Sequence, residues 1–345
     1  MSWFEKLSAV EALEDAPLDP ELVREFERAA PRVAGRPIRF STPTFKAYSS
    51  CDLEGCGKNS FPAFSVTAGG CALMCDHCQA KILEPMIPAT SPETLERKVR
   101  EMIATQELQG FLLSGGSTRR NEIRYERYYP VIERLKRDHP GLKVAIHSAL
   151  LDAPRARSMA DAGVDTAMMD VIGAQETIRE VYHLERAVDD FESTLAALCA
   201  TPMEVVPHIV IGLHYGRILG EPAALDIVSR QRIHSLVLVV IMPFYAKPGT
   251  FATPSTTDVG RIFIETRTRI AERQVLLGCA RPPGMHRRVT DAYAVMAGLD
   301  GIAFPADGAL GVAHAIGRPA AQEHACCSMK AGRTIKLHPR VEMKL

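Results

Sequence analysis

The chain has 345 residues, with 41 Lys and Arg against 41 Asp and Glu, so its formal charge is zero at neutral pH. That balance argues against a polyanion-binding surface and a polybasic membrane patch, so neither nucleic acid nor a membrane is expected as partner. Hydrophobic residues make up 46% and charged residues 24%, the mix of an ordinary globular protein, and no apolar run is long enough to cross a bilayer.

The opening segment, MSWFEKLSAVEALEDAPLDPELVREF, is amphipathic and lacks the apolar stretch of a secretory signal, so the expected location is cytoplasmic. Residues 1–60 read as a helical extension ending in a cysteine-bearing loop. Asp19 caps a helix with Pro20 in its first turn, expected over Glu21 to Ala30 and closed by Pro31, Gly35 and Pro37. Cys51 to Ser60 is expected as loop.

Residues 61–310 alternate between short apolar runs and amphipathic stretches. The runs are Phe64 to Ala68, Gly110 to Ser114, Lys143 to His147, Asp165 to Val171, Glu204 to Ile211, Leu236 to Met242, Gln274 to Gly278 and Gly301 to Phe304. The first long helical stretch starts either with Ser91 as cap and Pro92 behind it, or with a capping box of Thr90 and Glu93. Strands that are nearly continuous in apolar residues belong to parallel sheets covered on both faces. Eight such units predict an α/β fold, a (βα)8 TIM-type barrel, full or nearly full; a doubly wound sheet is the alternative. Residues 311–345 form a C-terminal tail carrying Cys326 and Cys327, with no further strand expected after Gly317.

In a barrel the chemistry sits at the C-terminal strand ends, and the unusual residues fall there: Gly69-Gly70-Cys71, Ser114-Gly115-Gly116, His147, Gly212 and Cys279. Nine cysteines, an odd number in a chain expected in the cytoplasm, point to metal binding over a disulfide scaffold. Cys71, Cys75 and Cys78 form a C-x3-C-x2-C run directly after a strand. Three thiolates on one short loop can hold three irons of a [4Fe–4S] cubane and leave the fourth iron open. A structural zinc site is the alternative, but it usually closes its tetrahedron with a second paired knuckle. Cys199, on the apolar face of a helix, reads as core.

The cysteine loop at the end of the first barrel strand resembles that of the radical S-adenosylmethionine (SAM) superfamily. The resemblance implies that Cys71, Cys75 and Cys78 hold the cluster, that SAM chelates its open iron, and that reductive cleavage yields a 5′-deoxyadenosyl radical. It implies cofactor contacts at His77, where most members carry an aromatic residue, and at Ser114, Gly115 and Gly116 beside the methionyl amino group. It also implies contacts at Asp170, and at Gly212 and Met242 around ribose and adenine. The bland readings are a solvent-facing loop histidine for His77, a plain turn for the glycine pair, a helix cap for Asp170, and barrel packing for Gly212 and Met242.

Cys51 and Cys56 stand in C-x4-C spacing ahead of the barrel, and the phrases FSVTAGGCALMCDHC and LGCARPPG further resemble the two-component lipoyl synthases. That resemblance implies a sulfur-inserting transferase in lipoate biosynthesis. A second, auxiliary [4Fe–4S] cluster would serve as sulfur donor, with ligands drawn from Cys51, Cys56, Cys279 and Cys327; ordinary core or surface thiols are the alternative for Cys279 and the Cys326-Cys327 pair. The implied substrate is an octanoyl-lysine of a lipoyl carrier protein. The implied partners are a reductant of ferredoxin or flavodoxin type and a second related radical SAM subunit. Arg281, Arg287 and Arg288 are expected either to meet an acidic carrier surface or to be solvated charges. The rival functions are another radical SAM reaction, biotin-synthase-like or methylating, and a non-enzymatic cluster- or zinc-binding scaffold.

Overall fold

The structure is a computed structural model that describes residues 2–42, 48, 50–53, 60–105, 108–324, 326, 328–329 and 334–337. Its strands are β1 (Ile38–Ser41), β2 (Ala63–Ser65), β3 (Ile87–Pro88), β4 (Gly110–Ser114), β5 (Lys143–His147) and β6 (Thr166–Asp170). They continue as β7 (Glu204–Ile211), β8 (Ser235–Val240), β9 (Gln274–Leu277), β10 (Gly301–Ala303), β11 (Ala320–Glu323) and β12 (Thr334–Leu337). The helices are α1 (Trp3–Leu7), α2 (Pro20–Arg28), α3 (Ala30–Val33), α4 (Pro92–Thr105), α5 (Tyr129–Asp138) and α6 (Ala153–Asp161). After them come α7 (Gln175–Glu180), α8 (Val188–Cys199), α9 (Glu221–Ser229), α10 (Thr256–Arg269), α11 (Met285–Met296) and α12 (Ala309–Ala315).

All twelve described strands join one curled sheet in the order β12-β11-β1-β10-β9-β8-β7-β6-β5-β4-β2-β3. Every pairing is parallel except β11 with β12, so the fold is α/β and barrel-like, with the expected βα rhythm. The sheet ends on β3 at one edge and β12 at the other, so the ring is not closed among the described residues.

Two apolar layers follow from strand alternation. The outward face of the sheet packs under the helices in one large core. The inward face gives a separate layer with one residue from each of five consecutive strands, Ala145, Met168, Val206, Val237 and Leu276, capped by Phe61 and Met329. This layer fills the barrel interior and leaves the C-terminal strand ends as the floor of a cavity.

The N-terminal segment departs from the expected helical extension. Asp19 does cap α2, accepting from Glu21 and Leu22 at 2.9 and 3.2 Å, but the helix ends at Arg28, and Pro31 lies in the first turn of α3 instead of stopping the chain. Residues 38–41 then form β1 between β10 and β11. The tail likewise contributes β11 and β12, where no strand was expected. Arg318, 1% exposed, fastens this edge by donating to the carbonyls of Arg36, Pro37, Val295 and Leu299. Ser91, not Thr90, starts α4, its Oγ accepting from Thr94 N at 3.2 Å. Cys199 packs against the core, and burial pushes its thiol up to about 11. Among the described residues no helix is long and apolar enough to cross a membrane.

Candidate active site

The strand β2 ends at Ser65, whose hydroxyl donates to Ala68 O at 2.6 Å and starts a tight turn with Ala68 at φ +52°. The turn delivers the chain to Cys71. Across from it, Gly115 and Gly116 follow β4. Gly116 N donates to Thr67 Oγ1 at 2.7 Å, and Ala72 N donates to Ser117 O at 2.9 Å. A Cβ on Gly116 would lie 1.9 Å from Gly70 O and 2.6 Å from Cys71 Cα. The glycine is therefore needed where two protein segments touch, which is a more specific reason than close approach to a ligand.

Cys71, Cys75 and Cys78 all line a cavity of about 360 Å³ at the C-terminal strand ends. Met74, Gln79 and Ala80 hold left-handed backbone at φ +47°, +47° and +59°, folding the loop back on itself. Side chains with Cβ adopt this region at a cost of about 1 kcal/mol or more each, and such residues cluster at functional sites. Burial pushes the Cys78 thiol up to about 11, with Cys71 adding to the rise, and pushes that of Cys75 higher still, with Cys78 and Cys71 adding to it. Soft cations reverse that preference by binding the thiolate.

Among the described residues no three His, Cys, Asp or Glu side chains converge tightly enough to share one metal ion. A single tetrahedral zinc with bonds of ~2.3 Å needs its sulfurs roughly 4 Å apart. A cubane takes each thiolate on a separate iron, so the loop fits the cluster better than the lone ion.

His77 is not a solvent-facing loop residue. Its ring lies 4.8 Å from that of Tyr182, and burial lowers its pKa to about 4. Its Nδ1 and the Tyr182 hydroxyl are both buried without a hydrogen-bond partner, as polar groups facing an absent ligand would be. Ser114, Gly115, Gly116, Asp170 and Met242 line the same cavity. Asp170 caps no helix, since α7 begins beyond it with Ala174 as its N-cap. Gly212 is not among the lining residues; at φ +80° it turns the chain after β7, its N–H donating to Glu221 Oε1 at 2.6 Å.

Two residues absent from the sequence reading of the cofactor contacts also face the cavity. His147 at the end of β5 lies 3.8 Å from Asp170 Oδ1, and its ring is 5.5 Å from that of His208 on β7. His208 Nδ1 sits 3.1 Å from Val206 O, and burial, with the neighbouring His147, lowers its pKa to about 4. The ring is therefore neutral at physiological pH, with Nδ1 as the natural donor to the carbonyl. Only the strand register, which sets Asp170 opposite His208, reveals this cluster.

Of the remaining thiols, Cys279 and Cys326 line the cavity together with the buried Ser328, and both pack against the small cluster of Ala303 and Phe304. Cys51 is exposed and outside the cavity lining, although its N–H and the Ser50 hydroxyl both donate to Asp307 Oδ1, at 3.0 and 2.9 Å, just beyond β10. Cys56 and Cys327 lie outside the described residues. Arg281 neither meets a carrier surface nor is solvated. It is 2% exposed, bound to both oxygens of Asp291 at 2.6 and 2.8 Å and to the carbonyls of Gly278, Ala303 and Phe304. Arg287 also turns inward and donates to Phe304 O.

The solved structures most like this one include methylornithine synthase (PylB), at 12% identity over 88% of this chain and 86% of that one, with a TM-score of 0.57. The [FeFe]-hydrogenase maturase HydG matches at 13% identity over 87% of this chain and 67% of that one, TM-score 0.57. HydG from Carboxydothermus hydrogenoformans matches at 16% identity over 88% and 67%, TM-score 0.51. At these identities the likeness shows the fold alone. No curated protein matches the chain. The family model of the radical SAM superfamily matches residues 65–217, from the end of β2 to just beyond β7. That family's domain implies a [4Fe–4S] cluster and SAM, and the matched stretch has the cysteine loop at its head.

Proposed function

We propose that this chain is a radical SAM sulfurtransferase of the lipoyl synthase type, acting on an octanoyl-lysine of a carrier protein. The observation that carries the reading is a second group of candidate ligands, Cys279, Cys326 and Ser328, on the same cavity as Cys71, Cys75 and Cys78. Neither methylornithine synthase nor HydG is a lipoyl synthase, so the reading rests on this chain's own residues.

In it Cys71, Cys75 and Cys78 hold the radical SAM cluster, and His77, Ser114, Gly115, Gly116, Asp170 and Met242 hold SAM. Cys279, with ligands from the Cys51–Cys56 loop and the Cys326–Ser328 segment, holds an auxiliary cluster. When bound, these groups supply a 5′-deoxyadenosyl radical for hydrogen abstraction and sulfide for insertion. The chain's part is to bind and to exclude water. Leu112, Val210, Val237, Val239 and Met168 give an apolar wall suited to an alkyl chain, with no S–H in it to quench a radical. The required reductant is of ferredoxin or flavodoxin type, a second related subunit is a partner, and the free thiols this chemistry needs suit the cytoplasm.

Anaerobic reconstitution with iron and sulfide analysis, followed by mass spectrometry of an octanoyl-lysine peptide incubated with SAM and reductant, tests the proposal. About two cubanes per chain, 5′-deoxyadenosine and a peptide heavier by sulfur are expected. Replacing Cys71, Cys75 and Cys78 together by Ala abolishes 5′-deoxyadenosine, whereas Cys279→Ser preserves it and stops sulfur transfer. Nucleoside release from the triple variant sinks the radical SAM assignment. Undiminished sulfur transfer by Cys279→Ser sinks the auxiliary site. An unmodified peptide beside intact SAM cleavage favours another radical reaction.

A further inference from the structure

We infer that Asp76, between the second and third cysteines of the loop, is a positioning residue that clamps the cluster loop to three neighbouring loops and sets the electrostatic environment of the cluster. The inference rests on the radical SAM reading of the cysteine loop, though not on the identity of the substrate.

Asp76 is 7% exposed, an unusual place for a carboxylate without a partner. Its backbone is held on both sides. Its N–H donates to Val181 O at 2.9 Å, after α7, and its carbonyl accepts from Lys247 N at 2.7 Å, after β8. Its side chain faces His183 Nε2 at 3.1 Å. The Tyr215 hydroxyl, in the loop after β7, lies 3.5 Å from its second oxygen while donating to Glu180 O at 3.0 Å. One residue thus joins the cysteine loop to the loops that follow β6, β7 and β8.

The residues that meet Asp76 are themselves held in unfavourable backbone. His183 and Tyr215 sit at φ +55° and +54°, like Met74 and Gln79 within the loop. Left-handed residues persist only where surrounding contacts over-determine them, and here the contacts converge on one carboxylate. A buried negative charge one residue from Cys75 and two from Cys78 favours the more oxidised state of whatever those thiolates bind. Outer groups of this kind orient ligands and tune the metal, and their loss typically costs ~10–100-fold in affinity or activity.

Two variants separate positioning from bulk structure. Asp76→Asn keeps the shape and both main-chain bonds and removes only the charge. His183→Asn removes the imidazole and tolerates the left-handed backbone. In reconstituted protein, Asp76→Asn is expected to move the cluster's reduction potential to a more positive value, read by EPR-monitored titration. In metal-free protein, His183→Asn is expected to speed hydrogen exchange at the Asp76 and Lys247 amides about tenfold. An unchanged potential in Asp76→Asn overturns the inference, and so does unchanged exchange in His183→Asn. Should Asp76→Asn fail to fold, the exchange of His183→Asn, whose carboxylate is intact, decides alone. Replacement of all three cysteines with no loss of iron would sink the radical SAM reading itself; a normal wild-type cluster indifferent to Asp76 would sink only this proposal.

Discussion

At the scale of the residue, the site depends on atoms that are missing as much as on those present. Gly116 leaves room for Gly70 O and Cys71 Cα, so Gly116→Ala must displace the cysteine loop. Overpacking of this kind costs about 1–3 kcal/mol. The variant is expected to fold with a lowered urea midpoint and to lose most SAM cleavage, measured as 5′-deoxyadenosine; retention of full cleavage would contradict the contact. His208 carries a pH signature. Its folded pKa, about 4, lies below the ordinary value of 6.5, so the unfolded chain binds more protons between those limits. Stability is therefore lost as pH falls from about 6.5 towards 4, by roughly 1–3 kcal/mol from this ring. His208→Gln is expected to flatten that part of the pH profile in denaturant titrations, with stability above pH 7 less affected. The cysteine loop was readable from spacing because its ligand chemistry is local. His147 was legible as a strand-end residue, but its pairing with Asp170 and His208, and the contact of Tyr182 with His77, were not, since only the strand register and the fold of the loop after α7 bring these side chains together.

Single elements show which strands a sequence advertises. The runs at Gly110–Ser114, Lys143–His147 and Glu204–Ile211 coincide with β4, β5 and β7, because strands covered on both faces must be apolar nearly throughout. β11 is AAQE and β1 is IRFS, short and half polar, and they pair through Arg39 and Glu323, whose side chains approach to 3.4 Å. Nothing in their composition separates them from loop. Arg281 illustrates the opposite error, a charge read as surface that is a buried brace between β9, β10 and α11. Removing one partner of such a pair strands the other and costs about 3–5 kcal/mol. Asp291→Ala is expected to lower the chemical-denaturation midpoint sharply. Arg281→Met with Asp291→Leu should lose less, because neither charge is then left uncompensated.

For the whole molecule, the decisive feature is that distant parts of the chain share one edge of the sheet. β1 lies between β10 and β11, and Gln322 and Glu323 of β11 precede the segment carrying Cys326 and Ser328. Deleting residues 1–45 therefore removes an interior strand, not an appendage. The truncated protein is expected to show a broadened, less cooperative unfolding transition and no sulfur transfer. A sharp two-state transition at the wild-type midpoint would show that β10 and β11 close the gap themselves.

The same arrangement sets a timetable for biosynthesis. Arg39 pairs with Gly301 and Ala321, so β1 leaves the ribosome long before either neighbour exists. At translation speeds of roughly 5–20 residues per second, the interval is tens of seconds. For that time a nascent strand with open hydrogen-bonding groups on both sides is at the mercy of other chains, and Arg39 within it and Arg36 just before it supply charge of the kind that discourages wrong partners until β10 and β11 are made.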